Sequence, residues 1–87
     1  MPTISIFFGI LIKIYYREHN PPHFHAYYQA YEAIYDIQKV HRMAGKLPPK
    51  AEKIVIEWAK EYRFELMNNW NLMEKGKPLH KIPGADQ

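Results

Sequence analysis

The sequence of 87 residues contains no cysteine. This absence excludes disulfide bonds, thiolate zinc sites and cysteine nucleophiles, and it is compatible with a reducing compartment. Long apolar runs are also missing, since the stretch over residues 4–12 is too short to span a bilayer and is interrupted by a serine and a glycine. Residues 1–3 lack the basic start of a secretory signal. We therefore expect a soluble, cytoplasmic protein that makes no membrane contact.

A strong excess of charge of one sign is absent as well. Twelve Lys and Arg against nine Asp and Glu give a net charge of +3, and the two signs are interleaved along the chain. This balance permits contact with RNA, DNA or an acidic protein partner without requiring any of them. The length allows one small domain with a single core. Seven Tyr, four Phe and two Trp indicate that large rings supply much of that core.

Alternating apolar and polar residues predict strands in the first half of the chain. The first run is interrupted at Gly9, where we expect a turn or bulge. Two further segments rich in Tyr, Ile and Phe, residues 24–29 and 32–37, flank Ala30-Tyr31 and predict a hairpin. A fourth strand is predicted over residues 40–45. The alternating residues of the first run are Ile4, Ile6, Phe8, Ile10, Ile12, Ile14 and Tyr16.

The second half of the chain predicts a helix that begins at Pro48-Pro49, because proline is tolerated in a first helical turn. Apolar residues then recur at spacings of three and four, which indicates one stripe on a long helix, bent near Asn68-Asn69. Gly76 and Pro78 predict its end. The stripe consists of Ala51, Ile54, Val55, Trp58, Ala59, Tyr62, Leu66, Trp70 and Met73, and its two tryptophans are expected to be core anchors.

Together these elements predict an α+β fold, in which a small antiparallel sheet of about four strands packs against one long C-terminal helix. We expect a single domain over residues 1–77. Residues 78–87 are polar, contain Pro and Gly, and are predicted to form a flexible C-terminal tail.

Three of the five histidines lie within seven residues, in the segment His19-Asn20-Pro21-Pro22-His23-Phe24-His25. The two prolines fix φ and remove backbone donors, so the segment is stiff. If the chain is extended beyond the prolines, His23 and His25 project from one face and Phe24 from the other. The cluster predicts the position of a site and leaves three interpretations open.

The first interpretation makes His19, His23 and His25 ligands of a divalent metal such as zinc, nickel, manganese or iron. Three imidazoles with an open position are typical of catalytic metal sites, although this spacing is not in itself a metal signature. The nearest carboxylates that could complete or orient such a site are Glu18, Glu32 and Asp36.

The second interpretation is metal-free catalysis, with two of these histidines as general base and general acid in phosphodiester cleavage. Lys13, Arg17 or Arg42 would then stabilise the charge that develops on the phosphate. Tyr27 and neighbouring tyrosines would offer stacking surfaces for bases. For most of these tyrosines we favour ordinary packing in the sheet, since strands are rich in tyrosine.

The third interpretation is structural and needs no ligand. Pro21-Pro22 then forms a rigid corner, Phe24 is a core ring, and the histidines hydrogen-bond to carbonyl groups around the turn. An oligomer is compatible with any of the three.

The chain also resembles the bacterial domain of unknown function 4160 family. The resemblance rests on the opening Met1-Pro2-Thr3-Ile4-Ser5, on the segment from His19 to Ala26, and on Leu47-Pro48-Pro49-Lys50-Ala51, followed by Glu57-Trp58-Ala59 and Asn69-Trp70, and it covers nearly the whole chain. It identifies the histidine and proline segment as the family hallmark. One departure is Gln38-Lys39-Val40-His41-Arg42, where the family pattern has an acidic, glycine-containing loop, so we expect no carboxylate site there.

The resemblance implies little chemistry, because the family is uncharacterised. Its genes often look like halves of small two-gene modules of toxin–antitoxin type. We therefore expect a toxin-like protein that acts on RNA or binds nucleic acid through His19, His23 and His25, beside a cognate small protein from an adjacent gene. Two alternatives remain: a non-enzymatic module that binds a protein partner through a sheet edge or its tyrosines, and a His-ligated metal protein.

Overall fold

The structure, a computed structural model, describes residues 3–87. Five strands form an antiparallel meander in chain order: β1 (Thr3–Phe7), β2 (Ile10–Lys13), β3 (His23–Tyr28), β4 (Tyr31–Asp36) and β5 (Arg42–Lys46). Two helices follow, α1 (Pro49–Glu61) and α2 (Arg63–Glu74). The predicted α+β class and antiparallel sheet are confirmed. The predictions of four strands and of one long helix are wrong.

The fifth strand arises because the first apolar run folds back on itself. Phe8 and Gly9 have φ values of 51° and 75° and form a two-residue turn, which pairs β1 with β2. A turn with positive φ at both central residues matches the twist of a hairpin. The predicted turn at Gly9 is therefore confirmed, and it separates two strands.

The helical region is broken at Tyr62, whose φ of −106° and ψ of 25° leave the helical range. Hydrogen bonds continue on both sides, from Tyr62 N–H to the Trp58 carbonyl at 3.0 Å and from Leu66 N–H to the Tyr62 carbonyl at 2.9 Å. The apolar residues keep their spacing of three or four across this break, as in Trp58, Tyr62 and Leu66. Within the described part of the chain, no helix is long and apolar enough to cross a membrane.

The core lies between one face of the sheet and the helices. Phe24 stacks on Tyr35 with ring centroids 5.5 Å apart and meets the Trp58 ring edge-on at 6.0 Å. Trp58 also contacts Phe7 at 5.0 Å. Both Trp58 and Trp70 are fully buried, which confirms them as core anchors.

Within the segment 78–87, which was predicted to be a flexible tail, residues 81–84 lie against β1. Ile82 N–H donates to the Ile4 carbonyl at 2.8 Å, and the Ser5 hydroxyl donates to the Ile82 carbonyl at 2.8 Å. Trp58 Nε1 donates to the Pro83 carbonyl at 2.8 Å. These contacts attach the segment to the sheet and to α1, while its flexibility stays a prediction.

Candidate functional site

Successive side chains of β3 point to opposite faces of the sheet, so its apolar and its histidine side chains lie on different faces. Phe24 and Ala26 point into the core, while His23, His25 and Tyr27 lie on the opposite face of the strand. Both histidines are only 9% exposed. The extended conformation expected after the prolines is therefore confirmed, and it brings two imidazoles side by side, with ring centroids 5.5 Å apart.

A single carboxylate bridges the two histidines. Glu18, in the loop between β2 and β3, places Oε1 2.5 Å from His25 Nε2 and 3.2 Å from His23 Nε2. These two distances fix both rings with their Nε2 atoms converging on one oxygen. Donor atoms from the three residues all lie within 4.8 Å of one another, which makes them a group that could hold a metal ion.

The outer nitrogen of each imidazole also meets an oxygen. His23 Nδ1 lies 2.8 Å from the Pro21 carbonyl, so the proline corner orients this ring. His25 Nδ1 lies 3.3 Å from Oε2 of Glu32 on β4. All four ring nitrogens of the pair therefore face oxygen atoms that can accept a hydrogen bond.

Aromatic rings enclose the pair. Tyr15 meets His25 edge-on at 4.8 Å, Tyr27 lies parallel to His25 at 6.3 Å, and Trp70 contacts His23 at 5.1 Å. The hydroxyls of Tyr15 and Tyr27 are 2.6 Å apart. Burial, then the hydrogen bond with Tyr15, then Glu32 raise the pKa of Tyr27, so this phenol stays protonated at neutral pH.

The loop that carries Glu18 holds a strained residue directly before it. Arg17 has a φ of 67°, in the left-handed region that costs an L-residue about 1–2 kcal/mol. A groove of about 570 Å³ opens beside this loop, between it and the end of α2. The groove is lined by Tyr16, Arg17, Glu18, Met73, Glu74 and Gly76. Glu18 thus links the histidine pair to an open surface.

The structure brings together two of the three predicted histidines. His23 and His25 converge, whereas His19 is exposed and lies outside the group formed with Glu18. Of the carboxylates considered from sequence, Glu18 and Glu32 contact His25, while Asp36 Oδ1 instead accepts a hydrogen bond from Lys39 N–H at 2.8 Å.

Three of the four predicted substrate-binding residues, Lys13, Arg17 and Tyr27, lie near the histidine pair, and Arg42 does not. Lys13 is the β2 partner of His25, and its Nζ lies 5.4 Å from the centroid of the Tyr27 ring. Arg17 adjoins Glu18 in the groove. Arg42 instead binds Glu52 of α1 at 3.2 Å.

The central role of Glu18 was missed in the sequence, where it was one of three nearby carboxylates. Adjacency was the available signal, since Glu18 directly precedes His19 whereas Glu32 and Asp36 lie farther along the chain, but it was not used to rank the three carboxylates. What distinguishes Glu18 is the course of its loop, which returns over β3.

Comparison with known proteins adds a family and no activity. No curated protein matches the chain, and no solved structure matches it. The family model described as Domain of unknown function (DUF4160) matches residues 9–71, a range that includes the loop, the histidine pair and most of both helices. The resemblance noted from the sequence is thereby confirmed, and the chain belongs to the DUF4160 family.

Proposed function

We propose that the protein binds a divalent transition-metal ion through Glu18, His23 and His25. One observation carries this proposal: all four ring nitrogens of the histidine pair face oxygen acceptors. The ion would be held at the Nε2 side of both rings, against the Glu18 carboxylate. Pro21 and Glu32 would fix the rings from the other side.

A count of the N–H donors on two neutral imidazoles supports the proposed metal site. A neutral imidazole has one N–H, so the two rings supply two donors for four contacts with three oxygen atoms, because both Nε2 atoms face the same Glu18 oxygen. If Nδ1 of His23 donates to Pro21 and Nδ1 of His25 donates to Glu32, both Nε2 atoms present lone pairs to the Glu18 oxygen. A cation between these atoms would remove the repulsion between the Nε2 lone pairs and the Glu18 oxygen. Metal-bound histidines commonly donate their other N–H to a carbonyl or a carboxylate in this way.

The ligand set limits the ion and its chemistry. Two imidazoles and one carboxylate suit zinc, iron, manganese or nickel better than calcium or magnesium. Bond lengths of about 2.0–2.2 Å require the donor atoms to be about 3.4 Å apart. The donor atoms lie within 4.8 Å of one another, and Glu18 Oε1 is 2.5 Å from His25 Nε2, so a bound ion would draw the wider-spaced donors closer and move this pair apart. Three protein ligands leave at least one position for water or substrate, which is the arrangement of hydrolytic metal centres.

Calorimetric titration of zinc and manganese into chelator-treated, untagged protein tests this assignment. We expect one site per chain in the wild type and at least a tenfold loss of affinity in Glu18→Gln, which keeps the shape of the side chain. His25→Ala should remove the site. His19→Ala is the matched control, because it deletes an exposed imidazole from the same segment.

Two results would overturn the proposal. If neither ion binds, the Glu18 contacts are a structural clamp between the loop and β3. If His19→Ala weakens binding as much as His25→Ala, the ligand set is a different one.

The proposed second function is the one expected from the family resemblance: nucleic-acid binding or RNA cleavage by a toxin-like protein of a two-gene module. Lys13, at 5.4 Å from the Tyr27 ring beside His25, supports it, since bases stack on rings and phosphates follow cations. Comparing Lys13→Ala with Arg42→Ala for binding of single-stranded RNA tests it. Equal losses, or no RNA binding by the wild type, would contradict it.

A further inference from the structure

The two edges of the sheet differ in what covers them. The β1 edge is covered by the C-terminal segment, through the bond from Ile82 N–H to the Ile4 carbonyl and through Lys81 Nζ, which donates to the Thr3 carbonyl at 2.9 Å. Strand β5, over residues 42–46, pairs with β4 alone, and all five of its residues are exposed. Within residues 3–87, no hydrogen bond from outside β4 reaches its backbone. An uncovered edge presents N–H and C=O groups that can pair with another strand.

The open edge lies within a basic segment of the chain and itself carries two cations, Arg42 and Lys46. Residues 37–51 contain no Asp or Glu, and their cations are Lys39, Arg42, Lys46 and Lys50. This segment alone carries a formal charge of +4, against +3 for the whole chain. Glu52 engages Arg42 and Glu32 lies opposite Lys46, so part of this charge is offset from the neighbouring elements.

We propose that the β5 edge binds an extended acidic segment of a partner protein, which adds a sixth strand to the sheet. Main-chain hydrogen bonds to β5 would supply the affinity, and carboxylates of the added strand would pair with Arg42 and Lys46. This interaction is independent of the metal proposed at Glu18, His23 and His25, because β5 does not contribute to that group.

The positive charge of the β5 edge favours an acidic segment over a second copy of this chain. A second copy paired antiparallel about Ala44 would place Arg42 opposite Lys46, and a parallel copy would align the same cations side by side. Like charges directly opposite each other destabilise a strand pair, so the edge disfavours its own copy. A nucleic acid would satisfy the cations but has no peptide groups with which to extend the ladder.

The test uses a capped peptide of alternating Glu and Val with 15N-labelled, chelator-treated full-length protein at low ionic strength. We expect saturable shifts of the backbone amides of residues 42–46. The double variant Arg42→Gln, Lys46→Gln should weaken binding about tenfold, which corresponds to the loss of two exposed ion pairs. The matched control Lys53→Gln, Lys60→Gln removes the same charge from exposed positions of α1 and should bind within about twofold of the wild type.

Two altered peptides separate strand addition from simple charge attraction. A fully N-methylated peptide cannot donate to the ladder and should not bind, and a Lys-Val peptide should not bind because of like charges. Binding of either one as tight as that of the Glu-Val peptide would overturn the proposal. Absence of shifts in residues 42–46, dimerisation through β5, or displacement of the peptide by single-stranded RNA at that edge would also overturn it.

Discussion

The two faces of β3 are held by different kinds of contact. On the core face, Phe24 and Ala26 are fully buried among rings and aliphatic side chains, where the stabilising effect is non-directional. On the opposite face, His23 and His25 are fixed by directional contacts with Glu18, Pro21 and Glu32. We therefore expect the core face to supply most of the stability, and the proposed metal site lies on the other face, although the same six residues build both.

The largest effect is expected on the core face. Phe24→Ala should lower the free energy of unfolding by about 3–5 kcal/mol, because it leaves a cavity between Tyr35 and Trp58. Denaturant unfolding of the variant measures this loss. A loss below about 1 kcal/mol would mean that the core face does not dominate stability.

The next largest effect is stabilisation by zinc, which should depend on the face of β3 that carries the histidines and not on the core face. Zinc at a hundredfold excess over its dissociation constant should raise the free energy of unfolding of the wild type by about 2.7 kcal/mol, because it binds the folded state. His25→Ala should show no such gain, and Phe24→Ala should retain it. Thermal unfolding with and without zinc measures the three proteins. A gain in His25→Ala equal to that of the wild type would place the ion elsewhere.

A smaller effect tests a directional contact at the edge of the core face. Ser5→Ala should cost about 1 kcal/mol, since the buried hydroxyl donates to the Ile82 carbonyl. Faster amide hydrogen exchange at Ile82 should accompany the loss, because the same segment donates to the Ile4 carbonyl. Unchanged exchange would mean that the C-terminal segment is held by its other contacts.

The smallest effect is that of Arg17→Gly, in the loop that carries Glu18. Arg17→Gly should stay within about 0.5 kcal/mol of the wild type, because relief of left-handed strain is offset by the greater freedom of glycine in the unfolded chain. Arg17→Val should be less stable than Arg17→Gly by about 1–2 kcal/mol. Chemical denaturation of the pair measures the difference, and equal stability would show that the loop relaxes from φ of 67°.

Local periodicity accounts for what the sequence predicted well. Alternation over residues 23–28 placed Phe24 opposite the two histidines, since the period of a strand depends on neighbouring residues alone. The start of α1 at Pro48-Pro49 and the burial of Trp58 in α1 and of Trp70 in α2 followed in the same way from local signals.

Long-range contacts and unusual backbone account for the rest. The extra strand depends on Phe8 with positive φ, which only the folded hairpin reveals. The helix break at Tyr62 leaves the apolar spacing unchanged. The roles of Glu18 and Ile82 depend on segments that meet across the fold, and the bond between Ser5 and Ile82 joins residues 77 positions apart.

Elemental analysis of the untagged protein, purified from cells without chelator, shows most directly whether Glu18, His23 and His25 hold a metal ion. We expect about one transition-metal ion per chain in the wild type and in His19→Ala, and almost none in Glu18→Gln or His25→Ala. The same metal content in all four proteins, or none in the wild type, would contradict it.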